Sequence, residues 1–490
     1  WKTLNCATLR LRMRSVAMTH YHIVGIAGAG MSAIANVLLD QGHVVSGSDW
    51  QHNALAAQLA ARGAAVVQGY DLAQVERADA LLISSAVRPD QLEFQAAQKR
   101  GIPILKRVDM WKMWSQQRRV IAVAGTHGKT TTTAMIALTL EKAGLNPGFL
   151  IGAPVPDLGI NGKWGDPTAP MVIEADEYDH TFLALSPNIA VITNVEWDHV
   201  DIYPTQEAYD QAFRQFAASV PNPRDVIICG DDAGAVRVAA LPGAQQYGID
   251  EVLARDPVSC RRALLDWSAV NVRETPDATH FELWNYDPAT FANRHMGNWQ
   301  LRLPGAHNVR NAVAAIAATR AAGVPLSAAA EALAAYRGAG RRFELKGEAA
   351  GITVIDDYAH HPTEVRVNLA AARGRYPQRR IVAYLQPHTY SRTEALLADW
   401  AETFHDADVV RIGAIYAARE TDTRGLNDEV VAAQIRHPDV RAVGDLDQAT
   451  QALLDVLQPG DVLLTLGAGD GYQVGERVLE KLTQKRAEVA

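Results

Sequence analysis

The stretch that most limits what this chain can fold into is Val120-Ile-Ala-Val-Ala-Gly125-Thr126-His127-Gly128-Lys129-Thr130-Thr131-Thr-Thr133. Its five leading apolar residues end at a glycine turn and predict a buried parallel strand; residues 131–140 then carry helical periodicity. Strand, glycine turn, lysine, hydroxyl and helix together make a phosphate cradle, because backbone N–H groups and the positive end of the helix dipole face one point. Lys129 is placed to reach the outer phosphates of a nucleotide and Thr130 to hold Mg²⁺ through its hydroxyl. The spacing is not that of the usual loop. The first glycine of Gly-x-x-x-x-Gly-Lys-[Ser/Thr] would fall at Val123, and this chain has the shorter Gly125-x-x-Gly128-Lys129-Thr130. A glycine turn with an exposed lysine is the plainer alternative, and the strand–turn–helix setting weighs against it. The expectation is a nucleoside triphosphate site.

A second cradle opens the first folded segment. A strand at His20 runs into Gly28-x-Gly30-x-x-Ala33 and an alanine-rich helix, and the next strand ends at Asp49, about 20 residues on. Alone, this satisfies the dinucleotide fingerprint and suggests an NAD-dependent oxidoreductase. A later strand ends in Ser84 and Ser85. Met171-Val-Ile-Glu174-Ala-Asp176-Glu177 ends in acids, where NTPases keep a magnesium carboxylate. Thr193-Asn-Val-Glu-Trp-Asp198-His199 brings a histidine to the same sheet edge, and residues 262–303 suggest antiparallel strands. Past a glycine-rich hinge at residues 336–340, strands and helices alternate to the end, and Gly467-Ala-Gly469-Asp470-Gly471 offers another possible anion cradle. Three such loops are too many for one dinucleotide and fit two nucleotide-type ligands.

The 490 residues suffice for three α/β domains: Rossmann-like at 19–118, a P-loop-type ATPase at 119–338, and Rossmann-like again at 339–490. Residues 1–18 are basic, free of acids and without a signal-type apolar segment; they are expected to be a disordered extension. A net charge of −8 gives no bulk attraction to nucleic acid or an anionic membrane, so neither is an expected partner. Cys6, Cys229 and Cys260 lie far apart, which suggests neither a zinc site nor a disulfide framework and fits a cytoplasmic setting. No apolar run reaches the roughly 18 residues of a membrane span.

Six motifs in order resemble the Mur ligases of peptidoglycan synthesis: Gly125-Thr-His-Gly-Lys-Thr-Thr, Glu174-Ala-Asp-Glu-Tyr-Asp, Thr193-Asn-Val-Glu-Trp-Asp-His199, His307-Asn-Val-Arg-Asn311, Gly340-Arg-Arg-Phe-Glu and Asp356-Asp-Tyr-Ala-His-His-Pro-Thr-Glu364. The match runs from about His20 to the C-terminus. Within the family, Gly25-Ile-Ala-Gly-Ala-Gly-Met-Ser, the stretch from Asp356 and Gln386-Pro-His-Thr-Tyr-Ser-Arg392-Thr resemble the alanine-adding members most. The resemblance implies an ATP- and Mg²⁺-dependent ligase that joins L-alanine to the lactyl carboxylate of UDP-N-acetylmuramate through an acyl phosphate. It leaves a recycling ligase that attaches an intact tripeptide as the nearest rival, and monomer and homodimer both open.

Roles follow from the same resemblance. Gly125, Thr126, His127, Gly128, Lys129, Thr130 and Thr131 would wrap the ATP phosphates. Glu174 and His199 would share a second Mg²⁺, beside the one on Thr130. Asn308 and Asn311 would read adenine or ribose, with Asn308 equally suited to cap its helix. Arg342 would reach the γ-phosphate and Asp357 the ATP ribose, while Arg341 would form a surface ion pair. Gly28, Gly30, Ser48, Asp49, Ser84 and Ser85 would hold the UDP-sugar in place of NAD. Tyr358, His360 and Arg392 would line the alanine pocket, with Arg392 on its carboxylate; core packing remains open for Tyr358, and a turn role for His361. Thr389 stands where some alanine-adding relatives carry a second arginine. Lys129, on a loop facing ligand, is expected to contribute charge and little packing.

Overall fold

The computed structural model describes residues 18–51, 53–85, 87–200, 202–239, 241–251, 253 and 265–489. The expected N-terminal extension lies outside these residues except for Met18, as do Cys6 and Cys260; Cys229 is buried. The described residues fall into two compact units, those within residues 1–110 together with 162–164, and those within residues 111–161 together with 165–490.

The first unit holds a parallel sheet of β1 (His20–Val24), β2 (Val44–Asp49), β3 (Ala65–Gln68), β4 (Ala80–Ile83) and β5 (Ile104–Lys106), ordered β3-β2-β1-β4-β5. The order reverses at β1, so ligand-facing loops gather at its carboxyl end, as in other doubly wound sheets. There the chain turns at Gly25 (φ 76°) and enters helix Ala29–Asp40 at Gly28. Gly47 lets β2 pack tightly: a Cβ there would lie 2.5 Å from the Ile23 carbonyl oxygen. The short strand β8 (Gly162–Lys163) clusters with this unit for the same reason, since a Cβ on Gly162 would meet the backbone of Ala33 at 2.1 Å.

The second unit contains two sheets. In the first, β6 (Val120–Ala124), β7 (Gly148–Leu150), β9 (Met171–Glu174), β10 (Ile189–Ile192), β11 (Val226–Cys229), β12 (Gln245–Ile249) and β13 (Trp267–Glu274) run parallel. The strands β14 (Thr279–Asp287) and β15 (Ala292–Leu301) then add antiparallel, as expected for that region. The order is β15-β14-β13-β12-β11-β10-β6-β9-β7. All five residues of β6 are buried, which is why its sequence is uniformly apolar and not alternating. With β9 on one side and β10 on the other, the carboxyl end of β6 is the switch point.

The other sheet comprises β16 (Glu344–Ala349), β17 (Ile352–Asp357), β18 (Ile381–Leu385), β19 (Val409–Gly413), β20 (Val440–Gly444) and β21 (Val462–Leu466), in the order β16-β17-β21-β18-β19-β20. Only its edge strand β16 is antiparallel. Apolar layers cover both faces, one built on Val365, Leu369, Trp400 and Phe404, the other on Leu453, Val474 and Val478.

Two expectations about loops change here. The turn after β21 presents carbonyls: Arg341 donates to the oxygens of Gly467 (2.5 Å) and Gly469 (3.1 Å). Its amides are engaged as well, Gly467 N–H donating to the Asp357 carbonyl and Gly471 N–H to Gln386. The loop therefore grips a cation and is not an anion cradle. Nor is Arg341 a surface pair. It bonds buried Asp356 (2.9 Å) and lies against the rings of Tyr358 (5.1 Å) and Tyr472 (4.6 Å), pinning the hinge to the sheet.

Candidate active site

The loop after β6 takes a shape that only glycine allows at two points. Gly125 has φ 136° and a Cβ there would stand 2.0 Å from Thr193 Oγ1; Gly128 has φ 80° and its Cβ would stand 2.6 Å from Asn311 Oδ1. The end of β10 stitches the loop in place. Thr126 and His127 donate their N–H groups to the carbonyl and side chain of Asn194, and Thr193 donates to the His127 carbonyl. The Thr126 hydroxyl is engaged with Glu196 and Tyr209. Helix Lys129–Lys142 starts at Gly128 without a side-chain cap, which leaves its first amides facing the cleft, the arrangement an anion needs.

Lys129 does not point freely at a ligand. Its Nζ donates to the carbonyls of Gly125 and Thr126 and lies 2.9 Å from Oε2 of Glu177, a fully buried acid. Burial pulls the lysine pKa down, but Glu177 and Asp176 outweigh it and hold it raised. The expectation is a lysine on a loop facing ligand; here its charge neutralises a carboxylate in the core of the site.

The Thr130 hydroxyl donates to Glu174 (2.8 Å), whose other oxygen accepts from Gly152 N–H (2.6 Å); burial raises the pKa of this carboxyl. A hydroxyl and a carboxylate short of positive charge, side by side, fit a hard divalent cation. His199 groups otherwise than expected. The donor set within 4.8 Å is Asp176, Glu177 and His199, with His199 Nε2 3.5 Å from Glu177 Oε1; Glu174 is not among them. The reason is the backbone: His199 sits at φ 53°, in a turn closed by its own N–H to Asp198 (2.7 Å).

A cleft opens beside the loop. His127 and Gly128 from the loop and Thr131 from the helix line it together with Asn308, Asn311, Arg342 and Asp357, residues spread over 231 positions of sequence (127 to 357). Gly125, Thr126, Lys129 and Thr130 are not part of this lining. Asn308 does not cap its helix: Gly305 is the N-cap, and Asn308, one turn in, donates to the Pro304 carbonyl (2.7 Å). Asp357 accepts from the N–H groups of Phe343 and Ala359, and burial raises its pKa to about 6. Arg342 faces Glu364 at 3.7 Å.

His127 is clamped between two acids, Nε2 3.1 Å from Glu196 and Nδ1 3.1 Å from Glu364. Burial opposes its charge, but the two carboxylates raise its pKa to about 9. His361 takes the turn role, capping helix Pro362–Arg375 in a reciprocal box with Glu364. Tyr358 is not core packing. Its ring stands 5.3 Å from the Arg342 guanidinium and edge-on to His360 at 5.5 Å. Burial lowers the His360 pKa to about 3. Arg392 pairs with Asp198 (3.0 Å) and lies 3.3 Å from His388 Nδ1. Glu177, Glu196, Asp198, Glu364 and His388 were not assigned from sequence, although each falls inside a motif quoted above; three-dimensional pairing was the missing signal.

In the first unit, Gly28 and Gly30 edge the turn, Ser84 Oγ would lie 3.7 Å from a Cβ on Gly25, and Ser85 is exposed on the rim. Asp49 closes the turn by accepting from Ala27 and Gln51 N–H, a structural use that the ribose reading did not foresee. Ser48 is a correction: the pleat turns it inward, where its hydroxyl donates to buried Glu93 (2.9 Å). Arg107, overlooked in the sequence, reaches within 3.4 Å of a Cβ position on Gly30 and adds positive charge to the cradle.

This constellation has counterparts among known proteins. Residues 20–119 match the Mur ligase family catalytic domain, residues 123–319 the Mur ligase middle domain, and residues 341–469 the Mur ligase glutamate ligase domain. A UDP-N-acetylmuramate–L-alanine ligase of Roseiflexus sp. (strain RS-1) is 62% identical over 466 residues, 95% of this chain and 100% of the relative. The chain belongs to the Mur ligase family. A ligase of the same name from Chloroflexus aggregans is 55% identical, across 96% of this chain and all of its own length. Among solved structures, the UDP-N-acetylmuramate-alanine ligase of Thermotoga maritima superposes with a TM-score of 0.76 at 25% identity, covering 95% of this chain and 100% of that one. A murein peptide ligase of Psychrobacter arcticus gives 0.69 at 26%, over 95% and 99%. As a Mur ligase the chain uses ATP in an amide-forming reaction, and the oxidoreductase reading of its first glycine turn is set aside. Among the described residues, no helix is long and apolar enough to cross a membrane.

Proposed function

We propose that this Mur ligase joins L-alanine to the lactyl carboxylate of UDP-N-acetylmuramate, with ATP converted to ADP and phosphate. The observation that carries this choice is 62% identity over the full length of a relative bearing that name. A carboxylate resists attack by an amine, because it is resonance-stabilised and its oxide is a poor leaving group. Transfer of the γ-phosphoryl group onto it, with ADP leaving, gives an acyl phosphate; the alanine amine then adds, and phosphate departs with one former carboxylate oxygen. Such phosphoryl transfer needs positioning and charge neutralisation more than covalent help.

The residues support these steps as follows. The uncapped helix start at Gly128 and Arg342 take the phosphate charge, and Lys129 is released from Glu177 to meet it. Asn308, Asn311 and Asp357 hold the nucleoside along the cleft. Thr130 and Glu174 would hold Mg²⁺, with His199, Asp176 and Glu177 as a neighbouring donor set; the cation supplies charge neutralisation at the phosphates. Gly28, Gly30, Ser84 and Ser85 carry the UDP group, and Tyr358, His360 and Arg392 the amino acid. In this reading the three domains are residues 19–118, 119–338 and 339–490, and the setting is cytoplasmic.

The rival is a ligase that takes an intact tripeptide, and 26% identity with the murein peptide ligase supports it less than the alanine reading is supported. The mechanism is tested with UDP-N-acetylmuramate labelled with ¹⁸O in its lactyl carboxylate. One label should appear in the released phosphate. Unlabelled phosphate would exclude the acyl phosphate.

A further inference from the structure

Arg392 is not an empty fork awaiting a carboxylate. Its Nε lies 3.1 Å from Asp198 Oδ1, and its Nη2 lies 3.0 Å from Oδ1 and 3.2 Å from Oδ2. The two side chains are 15% and 9% exposed. Asp198 follows β10 and Arg392 lies on the short helix Tyr390–Ala395, so nothing in the secondary structure demands their meeting. His199 Nδ1 (3.4 Å) and His388 Nδ1 (3.3 Å) flank the guanidinium, with His360 beyond His388 at 5.8 Å between ring centres. Asp198 thus occupies the bidentate position that an α-carboxylate would take.

We propose that Asp198 and Arg392 form an exchange pair that selects a free amino-acid zwitterion: the incoming α-carboxylate replaces Asp198 on Arg392, and the α-ammonium of the same molecule pairs with the released Asp198. This rests on the reading of Arg392 as an amino-acid residue of the site. The physical basis is charge balance in a buried place. Breaking a buried ion pair for a ligand of one charge strands the other partner without compensation. A zwitterion with both charges on one carbon converts one pair into two and strands nothing. A bare carboxylate, a bare amine, or the separated termini of a peptide cannot do so. The pair therefore also discriminates a single amino acid from a tripeptide.

The test is competition against L-alanine in the ADP-release reaction by propionate, which lacks the ammonium, and L-alaninamide, which lacks the carboxylate. On the wild-type enzyme both should bind at least about 100-fold more weakly than L-alanine. In Asp198→Asn, which leaves Arg392 without its counter-ion, propionate should bind at least about tenfold more tightly than in wild type, whereas Asp198→Glu should keep it weak. A purely structural role for Asp198 would not produce a gain of affinity. The proposal is overturned if propionate binds wild type within tenfold of L-alanine, or if Asp198→Asn leaves its affinity unchanged. Should Asp198→Asn fail to fold, the wild-type comparison alone decides. Failure of the underlying reading is distinct: Arg392→Ala would then leave the KM for L-alanine unaltered.

Discussion

Replacing Lys129 by Met should destabilise the fold as well as stop turnover, and the size of the effect follows from its partner. The ammonium stands 2.9 Å from one oxygen of Glu177 and 3.1 Å from the other, with the lysine side chain 14% exposed and the glutamate side chain 0%. Methionine keeps the methylene packing and removes the charge together with the hydrogen bonds to the Gly125 and Thr126 carbonyls. Glu177 then remains buried with the Tyr209 hydroxyl (3.3 Å) and the His199 imidazole (3.5 Å) beside it and no lysine charge against it. Removing one member of a buried pair costs about 3–5 kcal/mol; the partial exposure of Lys129 admits water and favours the lower end, about 3 kcal/mol. Glu177→Gln in the same background removes the stranded charge and should restore at least about 2 kcal/mol, so the two substitutions are coupled by that amount. Urea unfolding without nucleotide, followed by tryptophan fluorescence, measures all four corners of the cycle. Strict additivity, or a Lys129→Met protein within about 0.5 kcal/mol of wild type, would refute the reasoning.

Other consequences are open to simpler assays. His127 has its pKa raised from 6.5 to about 9, so its contribution to stability is complete below pH 6.5 and disappears as pH rises through about 9. The thermal midpoint should fall over that window in wild type and lose most of this dependence in His127→Gln; an unaltered slope would dissolve the clamp. Glu174→Gln and Thr130→Val should each raise the Mg²⁺ concentration for half-maximal rate by about tenfold, with little further change when combined, because they would hold the same cation. Independent, multiplying effects in the double variant would separate their sites. Arg392→Ala should raise the KM for L-alanine at least about tenfold and leave that for ATP nearly unchanged, a split read from steady-state kinetics.

The sheet architecture was legible because burial on both faces writes itself into sequence. Val120–Ala124 and Ile381–Leu385 are uninterrupted apolar runs for that reason. The glycine turns were legible because backbone shape dictates residue type at Gly125 and Gly128. Side-chain partnership was not. Glu177 looked like part of an acidic strand end, and its pairing with Lys129 depends on how β9 and β6 lie together. Asp49 and Ser48 fitted a nucleotide fingerprint, yet one closes the turn and the other points into the core. Arg341 and Arg342 are adjacent in sequence and opposite in use, because Arg341, at φ 57°, turns toward the Gly467 carbonyl while Arg342 enters the cleft. The Asp198–Arg392 pair spans 194 residues, and no local pattern could have announced it.

The most direct measurement is ADP release by the purified protein with ATP and Mg²⁺, using UDP-N-acetylmuramate and a panel of free amino acids alongside the peptidoglycan tripeptide. An alanine-adding ligase requires ADP release that depends on both the sugar nucleotide and L-alanine, slower turnover with glycine and serine, and little with the tripeptide. Preference for the tripeptide, or ADP release independent of the sugar nucleotide, would contradict that function.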